Sequence, residues 1–238
     1  MSAKAAMIRL YDLAAADPDQ RFSPYCWRIR MALKHKRLPF ETIPWRFTDK
    51  EAIAFSGQGA VPVLVDGDRT VSDSWRIAEY LEEAYPGSPS LFGSPDGKRH
   101  ARFIKHWTES RLHPLVSRMI ILDIHDELHE RDKPYFRESR EKRYGMSLEQ
   151  VVADRETTRK TFASALAPLR LAVSEQAFLH GEQPGFADYV VHGMFQRSRC
   201  SSAFPILPTD DAVGLWQNRM LGLFDGYAAA FPTASALR

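Results

Sequence analysis

At 238 residues, 44% hydrophobic and 26% charged, the chain has the make-up of an ordinary globular protein, long enough for one large domain or two small ones. Its 32 basic and 30 acidic side chains nearly cancel, which gives no case for a nucleic acid partner. No apolar run approaches the roughly 20 residues that span a bilayer, and the opening MSAKAAMIRLYDL turns polar at Asp12 without a signal-peptide core. The expectation is a cytoplasmic protein, which also suits two cysteines, Cys26 and Cys200, far apart and without metal-site spacing.

In chain order, IRLYDL (8–13) has the alternation of a strand, PYCWRIRMALKHK (24–36) that of a helix, and FETIP (40–44) reads as a second strand. VPVLV (61–65), a DGD turn and RTVS (69–72) predict a hairpin. A helix follows from Ser74 to Tyr85, with Ile77, Ala78, Leu81, Ala84 and Tyr85 on one face. In PGSPSLFGSPDG (86–97) nine of twelve residues are Pro, Gly or Ser, and that density marks a linker. Beyond it only helical patterns remain, over 97–126, 147–178, 186–199 and 212–231, and Ser147 with Gln150 has the spacing of a capping box. The division is residues 1–86 as an α/β domain, 87–97 as linker and 98–238 as an all-α domain.

FSPYC lies where the first strand gives way to the first helix. Pro24 suits the first helical turn, making Ser23 the N-cap. Ser-Pro-Tyr-Cys is one substitution from the Cys-Pro-Tyr-Cys of glutaredoxins, and the proline of Val61-Pro62 stands at a thioredoxin-like distance, where that fold has a cis proline. SDSWRIAEYL (72–81) then opens an amphipathic helix with an acidic-Ser pair.

With these three elements in order, the chain resembles the glutathione transferase superfamily over nearly its full length. The likeness is greatest to bacterial β-etherase-like members and related fungal serine-type enzymes, which show YDL, SPY-WR, VP, DSW-IAEYL and FADY. Here those are Tyr11 to Leu13, Ser23 to Arg28, Val61-Pro62, Asp73 to Trp75 with Ile77 to Leu81, and Phe186 to Tyr189. One departure is Gly185, where the family often has a Ser or Thr N-cap three residues before Asp188; half of a reciprocal cap is missing there.

The resemblance implies a thioredoxin-like N-terminal domain that binds glutathione, an all-α C-terminal domain that holds the second substrate, and a homodimer. Glutathione would add as a short strand beside Val61, turned outward by a cis bond to Pro62. Asp73, Ser74 and the amides of the helix they open would hold the γ-glutamyl end. Gln58 is the candidate for the glycyl carboxylate, with Arg46 and Lys50 as alternatives. Ser23 is the candidate catalytic residue: a hydroxyl and a helix N-terminus beside the sulfur favour thiolate over thiol. A thiol pKa lowered by roughly two units corresponds to about 2.7 kcal/mol of that preference. Cys26, one turn further on, reads as a packed thiol, and Tyr11 as part of the strand wall; a thiol-disulfide oxidoreductase using Cys26 and a non-catalytic glutathione or hydrophobic-ligand binder are the alternatives.

For the second substrate, a small hydrophobic or aromatic electrophile, the candidates are Tyr25, Trp45 and Phe47 from the first domain and Trp107, Arg111 and Met119 from the second, with His113 and Ile120 in the same stretch. His125, Asp126 and His129 lack a third well-spaced metal ligand, so no metal is expected. DELHERDK and RESREKR (137–143) read as solvated charged stretches, and the latter lacks the aromatic platforms of a nucleic-acid site.

Overall fold

The structure is a computed structural model that describes residues 7–208 and 210–234, so the first six residues of the opening stretch lie outside it. Strand β1 (Ile8–Leu13) pairs in parallel with β2 (Phe40–Trp45) and antiparallel with β3 (Val63–Asp66), and β4 (Arg69–Ser72) completes a sheet of order β2-β1-β3-β4. Helix α1 (Pro24–His35) links the parallel strands, a 3₁₀ turn spans Lys50–Ser56, and α2 (Ser74–Ala84) follows the hairpin. This is the thioredoxin-like arrangement, with an all-helical half after it.

Alternation along β1 buries Ile8, Leu10 and Asp12 on one side of the sheet. Asp12 enters the interior because it is paired: Oδ2 lies 3.0 Å from Arg30 and 3.6 Å from Arg21. The Arg30 guanidinium is held between the rings of Trp27 and Phe231, 4.7 and 4.1 Å from their centroids, and its Nε donates to the Tyr227 hydroxyl at 3.0 Å.

In the helical half α3 (Pro95–Trp107) begins inside the Pro/Gly-rich segment, because the Ser94 hydroxyl caps it by accepting the Gly97 amide at 3.0 Å. The helix expected over 97–126 is interrupted by a π-turn at Thr108–Leu112 before α4 (His113–Glu127). Pro114 has no amide for the Ser110 carbonyl and its ring crowds it, which accounts for the break. RESREKR (137–143), expected as a solvated charged stretch, lies within α5 (Lys133–Tyr144), anchored by the one fully buried side chain Phe136. The span 147–178 divides into α6 (Leu148–Val152), α7 (Arg155–Ala165) and α8 (Ala167–Glu175), with Pro168 in the first turn of α8. The capping box at Ser147 and Gln150 is present in both directions, at 3.2 and 3.0 Å. Helix α10 (Ala212–Gly226) stops short of residue 231, since Phe224 and Asp225 take positive φ.

Helix α9 (Phe186–Ser201) runs through the centre and packs along α1, so α1 is buried between it and the sheet. Its N-terminus shows why Gly185 replaces a capping Ser or Thr: a Cβ there would collide with the His180 ring. Asp188 keeps the other half of the cap. Its two carboxylate oxygens accept the amides of Gly185, Leu179 and His180 and the Trp216 indole N–H, at 2.7 to 3.2 Å.

Candidate functional site

The C-terminal ends of the parallel strands β1 and β2, the N-terminus of α1, and helices α4, α5 and α9 enclose a cavity of about 570 Å³. A cleft outside the carboxyl ends of parallel strands is where open α/β sheets present their loops and helix N-termini to a ligand.

Ser23 lines this cavity. Its Oγ accepts the Cys26 amide at 3.2 Å as the N-cap of α1, and its side chain also hydrogen-bonds the buried Cys26 thiol. The hydroxyl therefore sits at the positive end of a twelve-residue helix, with the weakly accepting Cys26 sulfur as its neighbour. Cys26 is fully buried beneath it and outside the lining; burial, then the nearby Asp12 carboxylate, push its thiol well above the ordinary range. Tyr11 packs on Phe55 at 5.5 Å between ring centroids and does not reach the cavity.

Val61 lines the cavity together with Gly59 and Ala60, and the Val61–Pro62 bond is cis. Lys50 joins them, its ammonium donating to the Gly59 carbonyl at 2.6 Å. Gln58 is exposed and not part of the lining, and Arg46 is turned away to the carbonyls of Ala15 and Ala16. Asp73 and Ser74 also differ from expectation. Asp73, at φ 73°, is the N-cap of α2 and Oδ1 accepts the Trp75 and Arg76 amides at 2.9 and 3.1 Å, so those amides are not free. Ser74 is buried, and its Oγ accepts from Arg28 Nη1 at 3.4 Å. That nitrogen also donates to Glu109, a lining residue, at 2.8 Å, while Arg28 Nε and Nη2 are buried with no acceptor among the described residues.

Tyr25, Trp45 and Phe47 all line the cavity. Trp45 is fixed by donating from Nε1 to the Asp49 carbonyl at 2.7 Å. Asp132 ties the same loop to α5 by accepting the Thr48 amide and hydroxyl at 2.9 and 2.7 Å. Trp107, Arg111 and Met119 lie outside the lining: Trp107 packs against the core, Arg111 faces solvent and Met119 is buried within the helical half. The stripe that faces the cavity is instead Glu109, His113, Ser117, Ile121 and Ile124, spaced three and four apart. His113 is buried, 5.6 Å from the Tyr25 ring; burial first, and the positive field of Arg28 and Arg197 second, hold it well below the usual histidine range and neutral.

Sequence reasoning missed Tyr135, Phe136, Arg140 and Arg143 on α5 and Arg197 on α9, all of which line the cavity. The usable signal was Phe136 with Arg140 and Arg143, three and four residues apart on a helix read as a charged stretch. Among the described residues no group of three or more His, Cys, Asp or Glu side chains is placed to hold a metal ion, and no helix is long and apolar enough to cross a membrane.

Two family models match the chain, the N-terminal domain of glutathione S-transferase over residues 19–89 and its C-terminal domain over residues 100–203. Among curated proteins, a probable glutathione S-transferase, GSTU6, of Oryza sativa subsp. japonica is 27% identical over 179 residues, which is 72% of this chain and 66% of the relative. The match thus spans just under two thirds of that relative's length. Among solved structures, glutathione transferase GSTFuA3 from Phanerochaete chrysosporium superposes with a TM-score of 0.76 at 25% identity, covering 96% of this chain and 95% of that one. A glutathione S-transferase of Ceriporiopsis subvermispora, CsGST63524, solved with glutathione, shares the fold with a TM-score of 0.73 at 23% identity and 94% coverage of each chain. With both domain models matched in order along one chain, and a thioredoxin-like half followed by a helical half, the protein belongs to the glutathione S-transferase superfamily.

Proposed function

We propose that the protein is a cytoplasmic, homodimeric glutathione transferase that activates glutathione with Ser23 for attack on an aromatic electrophile, with cleavage of β-aryl ethers as the finer assignment. The observation that carries this reading is the placement of Ser23: it faces the cavity at the N-terminus of α1, and its oxygen is oriented by the Cys26 amide. Glutathione supplies the nucleophilic thiol.

The residues present fit that group. The backbone around cis Val61–Pro62 edges the cavity and is available for strand-like pairing with a peptide. Arg28, beside Ser74, keeps two buried nitrogens without acceptors, as a site for a carboxylate requires. Ser23 donates to the sulfur and, with the α1 terminus, favours its anionic form; no proton passes through the serine. Tyr25, Trp45 and Phe47 supply the wall on which an aromatic ring packs. In the etherase reaction a C–S bond forms at a carbon next to a carbonyl, the C–O bond breaks, and the phenolate leaves with the electron pair.

The test is incubation with glutathione and a β-aryl ether ketone that releases a fluorescent phenol, in parallel with 1-chloro-2,4-dinitrobenzene. Release above the buffer rate supports the etherase assignment. Turnover of the haloaromatic alone leaves the transferase reading and removes the etherase one, and turnover of neither, across electrophile classes, removes both.

A further inference from the structure

The charges on the cavity wall do not balance. Arg140 and Arg143, one turn apart on α5, and Arg197 on α9 all line it, and among the described residues none of the three lies within 4.0 Å of a carboxylate. Glu109, the acidic residue of the lining, is already taken: Arg28 Nη1 holds one oxygen at 2.8 Å and Lys105 Nζ the other at 2.6 Å. The acceptors the arginines do have are neutral. Arg197 Nη1 donates to Ser117 Oγ at 3.0 Å and Arg140 Nη1 to Ser139 Oγ at 2.7 Å, while the Arg140 guanidinium lies 4.6 Å from the Phe136 ring centroid.

Burial is the main cause, with Arg140 and Arg143 adding repulsion, that brings Arg197 down to about 10; it remains a cation at neutral pH. Burial and Arg143 likewise lower Arg140. Half-buried like charges without a counterion are costly, and a planar anion accepting from guanidinium forks relieves them. The first-domain part of the lining, at Gly59 to Val61, has its own cation in Lys50. With Arg28 and Lys50 at hand for the two carboxylates of glutathione, the α5–α9 arginines are surplus to the first ligand.

We infer that the second substrate is an aromatic electrophile bearing a carboxylate, which Arg140, Arg143 and Arg197 receive while its ring rests against Phe136 and Phe47. This rests on the transferase reading, and its test separates the two. The probes are 4-chloro-3-nitrobenzoate and its neutral amide: in each, thiolate sulfur bonds to the ring carbon, the C–Cl bond breaks and chloride leaves with the electron pair, the thiol proton having gone to solvent. Catalytic efficiency, each normalised to the uncatalysed rate, should favour the acid at least tenfold. That acid-to-amide ratio should fall at least tenfold in Arg197→Gln and Arg140→Gln, and several-fold in Arg143→Gln, whose exposed side chain makes it the variant safest for folding.

Calorimetry of unreactive 4-nitrobenzoate and 4-nitrobenzamide, with S-methylglutathione present, reads the same site without chemistry and should show the same preference. Equal handling of acid and amide overturns the inference. So does a variant that weakens glutathione binding while leaving the ratio intact, since the arginines would then serve the glycyl carboxylate. Tight, arginine-dependent nitrobenzoate binding with no chloride release under any condition upholds the anion site and removes the transferase reading.

Discussion

Gly193 of α9 lies directly against the carbonyl of Pro24, and a Cβ at that position would overlap the oxygen. The absence of a side chain lets α9 approach the first turn of α1, the turn that Ser23 caps. Gly193→Ala must push apart two backbones, where no rotamer change can help, so it should destabilise by at least about 3 kcal/mol, above the common range for overpacking. Urea denaturation checks this; a change under about 1 kcal/mol would show that the helices can separate freely.

Ser23→Ala removes both the donor in the cavity and the cap of α1, whereas Ser23→Gly removes the donor and retains most of the capping energy. Turnover should fall by roughly a hundredfold in both variants, the scale for losing one donor to a developing or stabilised anion. Glutathione affinity should change little. Only the alanine variant should lose about 1 kcal/mol of stability as well. Ultraviolet absorbance of bound thiolate, titrated in wild type and variants, should fall in step with turnover, and unchanged absorbance and rate would remove Ser23 from the mechanism.

Cys26 is sealed beneath Ser23, and Cys200 is equally buried with its thiol pushed up to about 12. A disulfide reagent at pH 7 should titrate neither cysteine in the native protein and both in denaturant. Cys26→Ala should keep at least half of the haloaromatic turnover. Fast native labelling, or near-complete loss of activity in a folded Cys26→Ala protein, would favour a cysteine-based mechanism.

His192 of α9 is fully buried, its Nδ1 3.1 Å from Gln217 Oε1 and its Nε2 without a partner among the described residues. Burial lowers it to about 4 from an ordinary 6.5. The unfolded chain then binds more protons than the native one between those values, so stability is full above pH 6.5 and declines as pH falls towards 4. The loss from this residue is on the order of 3 kcal/mol. His113, also held neutral by burial, adds in the same direction. Denaturation midpoints measured from pH 7.5 to 4.5 should show the decline, and His192→Gln should flatten it; parallel curves would assign the acid sensitivity elsewhere.

The sheet and its two helices were legible because alternation, the Ser23 and Pro24 cap and the hairpin turn are local signals, and all of them survive in the structure. The helical half was legible in outline only. Its breaks depend on single residues such as Pro114 and Pro168, and α5 has so narrow an apolar stripe around Phe136 that its charges concealed it. For the site, Ser23, Val61, Tyr25, Trp45 and Phe47 reach the cavity, all from the half that carries recognisable motifs. Arg140, Arg143 and Arg197 carry no motif; only the packing of α5 and α9 brings them to the cavity wall. Trp107, Arg111 and Met119 were chosen by residue type, and the register set by the π-turn gives the lining to other positions.

The aromatic cover on Arg30 sets an order of events in time. Its rings come from Trp27, a near neighbour, and from Tyr227 and Phe231 close to the other end of the chain, which Arg199 pins through the carbonyls of Ala228, Ala229 and Phe231. On a ribosome adding about 5–20 residues per second, roughly 10 to 40 s separate synthesis of Arg30 from that of Phe231. Throughout that interval the nascent first domain holds Asp12 and Arg30 with one side of the pair open to water. A polypeptide cut short before Tyr227 would remain in that condition permanently, and proteases would meet it as an unfinished domain.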